Sequence, residues 1–131
     1  LVSFFERNLV MPAGNAHRIL DTIKIANHSL PDPGSGKRIS VLQDLQICEL
    51  VTVAAEARTL ANPTKAGNRL TLRMKTDGGD CVVTASNGFN VAGNTVATFA
   101  DVGDLLELIS VSTTTAFRWE VLVNVGSVGL A

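Results

Sequence analysis

The sequence predicts an all-β protein, an antiparallel β-sandwich or small β-barrel preceded by an N-terminal arm. Three observations carry this. Arg69-Leu-Thr-Leu-Arg-Met-Lys75 alternates strictly, with Leu70, Leu72 and Met74 on one side and Arg69, Thr71, Arg73 and Lys75 on the other, the period of a half-buried strand. Short apolar stretches then recur as far as Asn124, each closed by Gly, Asn or Asp, as in sandwiches and barrels. Finally, a chain of 131 residues that is 46% apolar has enough material for one core, burying roughly two-thirds of its unfolded surface.

Residues 1–37 read as arm and linker and residues 38–131 as the body. Phe4, Phe5, Leu9, Val10 and Met11 are apolar until Pro12-Ala-Gly14 breaks the pattern. Ile19 and Ile23 suit a helix, whereas Ile23 and Ile25 suit a strand. Asn27 to Lys37 holds two Pro and two Gly and reads as a linker. Ile39, Leu42 and Leu45 have helical spacing. Ile47 to Ala54 is a nearly continuous apolar run, better read as a buried strand. Ala54 to Arg58 has helical propensity but is too short to stand alone. Asn62 to Gly67 is a turn.

The later elements are clearer. Strand 69–75 is followed by a hairpin connection, Thr76-Asp-Gly-Gly-Asp80, and Cys81 to Ser86 returns. Asn87 to Asn94 is a long turn, Thr95 to Phe99 a strand, Asp101 to Asp104 a turn and Leu105 to Ser112 a strand. Phe117, Trp119, Val121 and Val123 alternate against Arg118, Glu120, Leu122 and Asn124, so that Trp119, Phe117, Phe99, Leu70 and Leu72 are expected to be buried together.

The chemistry on offer is sparse. Eleven basic and twelve acidic residues give a net charge of −1, with no footprint for nucleic acid. No apolar stretch approaches the ~20 residues of a membrane span, and the N-terminus lacks the basic lead and long apolar core of a signal peptide. His17 and His28 lie in irregular sequence, with no CxxC and no HExxH beside them, so no metal site and no cofactor is expected. No GxSxG elbow is present, and an enzyme is not expected. Gly34-Ser-Gly-Lys-Arg38 fails the phosphate-loop pattern, since Pro31 occupies the required first Gly and Arg38 replaces Ser/Thr.

Asp77, Asp80, Asp101 and Asp104 lie in turns, where Asp bonds its own backbone. They gather Ca²⁺ only if their loops meet. Cys48 and Cys81 read as buried free thiols. Arg58, Lys65, Arg69, Arg73 and Lys75 form the one basic concentration, either a solvated face or a docking face for an acidic protein surface. The charged share of 18% against the 46% apolar share points either to partner-facing apolar residues or to simple Ala and Val richness.

Several segments carry a family likeness. Asn62 to Gly67 leading into Arg69-Leu-Thr-Leu72, Asn94 to Phe99, Val102-Gly-Asp104 followed by Leu105 to Val111, and Arg118-Trp119 leading into Asn124-Val-Gly126 resemble small β-rich virion proteins of tailed bacteriophages. These are head decoration (cement) proteins, head fibres and some tail-fibre modules. The resemblance spans Leu60 to Val128 and brings no catalytic residue with it. It implies a homotrimeric capsid decoration protein that binds the major capsid protein at the virion surface and is assembled in the bacterial cytoplasm. The alternatives are a tail-fibre or baseplate component and a receptor- or carbohydrate-binding β-module. On the decoration reading, the expected interface residues are Phe4, Phe5, Leu9, Val10, Met11, Arg69, Arg73 and Lys75. Neither nucleic acid nor membrane is an expected partner.

Overall fold

The computed structural model describes residues 28–131 and places ten strands in two open five-stranded sheets. In chain order they are β1 Ser29–Leu30, β2 Lys37–Ile39, β3 Gln46–Val51, β4 Glu56–Leu60, β5 Arg69–Thr76, β6 Cys81–Thr84, β7 Val96–Phe99, β8 Leu105–Ser112, β9 Phe117–Val125 and β10 Gly129–Leu130. The first sheet runs β1-β3-β5-β8-β9 and the second β10-β7-β6-β4-β2. Among the described residues neither sheet closes on itself, so the body is a sandwich and not a closed barrel. No helix occurs among the described residues.

The all-β expectation holds, but the strands do not all pair antiparallel. From β1 to β6 the chain alternates between the sheets. β1, β3 and β5 lie parallel in one, and β2, β4 and β6 lie parallel in the other. Ser29 sits beside Ile47, and Ile47 beside Thr71. The first half is thus a short stack of three turns, each leaning on the next. Antiparallel pairing enters only with β7 to β10. An alternating pattern tells which side faces the core, not which way the neighbour runs. Parallel strands need a crossover, often a helix; here each crossover is a strand of the opposite sheet.

Two expected local structures change for this reason. Thr76 to Asp80 does not close a hairpin; it carries the chain from β5 in one sheet to β6 in the other. That turn stacks backbone against backbone on the turn between β3 and β4. A Cβ on Gly78 would fall 2.5 Å from the Thr52 carbonyl oxygen, and one on Gly79 would strike the Ala54–Ala55 peptide. Ala54 to Arg58 is not helical either. Its second half opens β4, because pairing with β2 and β6 outweighs a weak local propensity.

Ile39 is buried in β2, while Leu42 and Leu45, its partners in the expected helical spacing, stand exposed in the loop before β3. The part of the expected linker that is described is woven into the body: β1 pairs with β3, and Lys37 already belongs to β2.

The core lies between the sheets. Leu70, Leu72, Met74, Leu106, Leu108 and Trp119 of the first sheet face Cys81, Val83, Ala97 and Phe99 of the second. The Trp119 indole N–H donates to the Ala61 carbonyl at 3.0 Å, satisfying its one polar atom. Phe117 stays half-buried at the start of edge strand β9 and is not part of this cluster. A bulge at Leu122 sets Val121 opposite Leu108 but Val123 opposite Glu107. Val123 therefore leaves the Trp119 face and is exposed, as is Val125.

Strand directions sort the connections into two ends. Residues 31–36, 52–55, 77–80, 100–104 and 126–128 share one end; residues 40–45, 61–68, 85–95 and 113–116 share the other.

Candidate interaction surface

The outer face of the first sheet carries the expected residues of the body. Arg69, Thr71, Arg73 and Lys75 project from β5, the middle strand. Registration places Glu49 of β3 beside Arg73, and Glu107 of β8 beside Thr71. The Arg73 Nη1–H donates to Glu49 Oε2 at 3.1 Å, Arg69 pairs with Glu107 at 3.8 Å, and Arg118 pairs with Glu120 on β9 at 2.9 Å. Lys75 has no acidic partner among the described residues. The basic concentration is thus largely neutralised within its own sheet. Between the ion pairs lie half-buried Ile47, Leu105, Ile109 and Val111, with Val51, Val123 and Val125 exposed toward one end. The face mixes apolar rows with guanidinium groups. Phe4, Phe5, Leu9, Val10 and Met11 lie outside the described residues.

Arg58 does not belong to this surface. Glu56, Arg58 and Leu60 share a side of β4, and that side faces inward. Its side chain is 0% exposed. Its Nε–H donates to Asp32 Oδ1 at 2.7 Å and its Nη2 to Asp32 Oδ2 at 2.9 Å. Nη2 also meets Glu56 Oε1 at 2.8 Å and the Val51 carbonyl at 3.1 Å. Asp32 further accepts the N–H groups of Val51 and Gly34. The cluster ties the segment between β1 and β2 to the next turn of the stack.

Burial pushes the Asp32 carboxyl up, but the Arg58 guanidinium and the two N–H donors together outweigh it and hold it below the usual carboxylate range. The Val53 N–H and then Arg58 lower Glu56. Asp32 raises Arg58 well above its ordinary value. Asp32 sits in Pro31-Asp-Pro33, where composition alone reads as linker. Its role was missed for that reason. The parity of Arg58 with Leu60 was the one available signal.

The remaining candidates have structural partners. Cys48 and Cys81 are free and buried, and burial pushes their thiols up to about 12 and about 11. The Asp104 carboxylate accepts the N–H groups of Ala100 and Asp101, and Asp77 accepts that of Gly79. No group of three or more His, Cys, Asp or Glu that could hold a metal gathers among the described residues. His28 is exposed and its Nδ1 contacts the Leu45 carbonyl at 2.8 Å, an interaction that requires the proton on Nδ1. His17 lies outside the described residues. A shallow polar hollow of about 140 Å³ lies over Trp119, lined by Ser40, Asn62, Thr64 and Asn68, and the buried indole offers no open ring to it.

Neither a scan against protein-family models nor a search of curated proteins finds a match to this chain.

Proposed function

We propose that this chain is an adhesive virion protein of a tailed bacteriophage, a capsid decoration protein that binds the outer shell through the major capsid protein and reinforces the head as a homotrimer. The observation that supports this reading best is the outer face of the first sheet. It is broad and nearly neutral, with apolar rows between Arg69, Arg73 and Arg118. Arg is enriched in protein interfaces because its flat cation both stacks and pairs. A face of self-paired charges and half-buried aliphatics suits contacts repeated many times over a lattice, each individually weak. The carbohydrate-binding alternative needs two exposed rings on one surface. Among the described residues Trp119, Phe89 and Phe99 are buried and Phe117 is half-buried.

The test is co-sedimentation with capsids assembled from the major capsid protein of the same phage. Binding should saturate at a fixed ratio to capsomers. The double change Arg69→Gln/Arg73→Gln should weaken it by about tenfold or more, with little effect on folding because it removes two partly exposed ion pairs and sets no like charge beside Glu49 or Glu107. Unimpaired binding by that variant removes this face from the account. No binding by the unaltered protein removes the capsid reading.

A further inference from the structure

Asn87 is the one asparagine of the chain that is followed by glycine. In that pair a carboxamide is lost most easily, because a glycine without Cβ leaves its nitrogen open to the neighbouring side chain. The fold uses both residues where they stand. Ala85 to Gly88 is a tight turn closed by the Gly88 N–H on the Ala85 carbonyl at 2.9 Å. Gly88 holds φ at +93°, and a Cβ there would lie 3.2 Å from the Asn94 carbonyl oxygen, so the turn requires glycine. The exposed Asn87 is held through two groups. Its backbone N–H donates to Asn62 Oδ1 at 3.0 Å, and its Nδ2 donates to the Phe117 carbonyl at 2.8 Å. Phe89 is fully buried, and its carbonyl accepts the Val121 N–H at 3.1 Å. Asn87 and Phe89 thus hold the segment 85–95 against the outer edge of β9 at two points, Phe117 and Val121.

We propose that Asn87 is a site of spontaneous deamidation, gated by opening of the 85–88 turn, and that the loss of its amide releases the outer edge of β9. The Gly88 nitrogen gives its proton to solvent and bonds to Asn87 Cγ. The Cγ–Nδ2 bond breaks, and Nδ2 takes up a proton and leaves as ammonia. Water then opens the cyclic imide at one of its two carbonyls and leaves aspartate or isoaspartate at 87. In the closed turn neither reacting group is free. The nucleophile's N–H is committed to Ala85 and the leaving amide to Phe117. The reaction therefore proceeds from the opened turn. Its product cannot restore the contact. A carboxylate has no N–H for the Phe117 carbonyl and repels that oxygen, and isoaspartate adds one carbon to the main chain of the turn. The backbone groups of β9 that the segment covered are then left without partners, as on any bare sheet edge. This chemistry concerns ageing of the chain and stands apart from the capsid reading.

Peptide mapping by mass spectrometry follows the reaction in the full chain, kept for weeks in mildly alkaline buffer, native in one arm and in guanidinium chloride in the other. In the denatured chain Asn87 should be converted ahead of every other asparagine. In the native chain it should react about tenfold or more slowly, since two hydrogen bonds must open first. Asn62→Ala removes the acceptor of the Asn87 N–H and should speed the native reaction about threefold or more. Asn87→Asp carries one product from the start. Amide hydrogen exchange at Val121, whose N–H the Phe89 carbonyl accepts, should be about tenfold or more faster in that variant and in the aged parent than in fresh protein. No conversion of Asn87 in either arm would overturn the site. A native rate equal to the denatured one, or a parent-like rate in folded Asn62→Ala, would overturn the gate. Parent-like exchange at Val121 in both modified proteins would overturn the release of β9.

Discussion

Asp32→Ala should be among the most damaging single changes at a polar residue of this protein. Asp32 gives Arg58 two charge-assisted hydrogen bonds, at 2.7 and 2.9 Å, and accepts two backbone N–H groups. The guanidinium has no exposure to water. Removing one partner of a buried ion pair costs about 3–5 kcal/mol, because the other charge stays buried. Glu56 remains 2.8 Å from Arg58, so the lower part of that range, about 3 kcal/mol, is expected. Arg58→Met removes the stranded cation. The double variant should therefore lose less than the two single losses combined, with a coupling of about 1–3 kcal/mol.

Urea unfolding followed by fluorescence of the single tryptophan reads this directly, since Trp119 passes from core to water. The same experiment has a pH arm. Because the folded state holds the Asp32 carboxyl low, the unfolded state binds more protons between the two pKa values, and stability rises with pH there. The contribution is complete above about pH 4, the ordinary carboxylate value, and is lost as pH falls through the folded value. Asp32→Asn should flatten that acid limb. A loss under about 1 kcal/mol for Asp32→Ala, or single losses that simply add, would refute the buried-charge argument.

Three further outcomes are expected. Trp119→Ala should destabilise by about 3–5 kcal/mol in the same urea assay, read by circular dichroism. Gly79→Ala should cost about 1–3 kcal/mol, because the added methyl meets the Ala54–Ala55 peptide and a backbone must shift; parent-like stability would show that the two turns are not stacked. Cys48 and Cys81 should resist a thiol reagent at pH 8 in the native state and both react in urea, since the buried thiols stay protonated.

Much of the fold could be read from local pattern. β5 and β8 were legible because Leu70, Leu72, Met74, Leu106 and Leu108 alternate cleanly and turn residues bound them. The parallel stack was not. Leu50, Leu70 and Cys81 show which side is inward, but nothing local says that β3 runs beside β5 in the same direction. β4 was hidden by the helix-prone Ala54-Ala-Glu-Ala57, whose last two residues open a strand held between β2 and β6. The bulge at Leu122, which exposes Val123 and Val125, leaves no mark in an unbroken apolar run. On the candidate surface, the exposure of Arg69, Arg73 and Lys75 followed from alternation. Their neutralisation by Glu49 and Glu107 required the register between strands. Asp32 lay hidden in a segment whose Pro and Gly content suggests a free tether.

The central claim places this sandwich on the outside of a phage head. A reconstruction of the virion at a resolution that separates strands tests it most directly. The account predicts density for two five-stranded sheets on the outer shell, repeated with the capsid lattice, with Arg69 and Arg73 turned toward the major capsid protein. Density for the sandwich in the tail or baseplate, or nowhere on the particle, would contradict it.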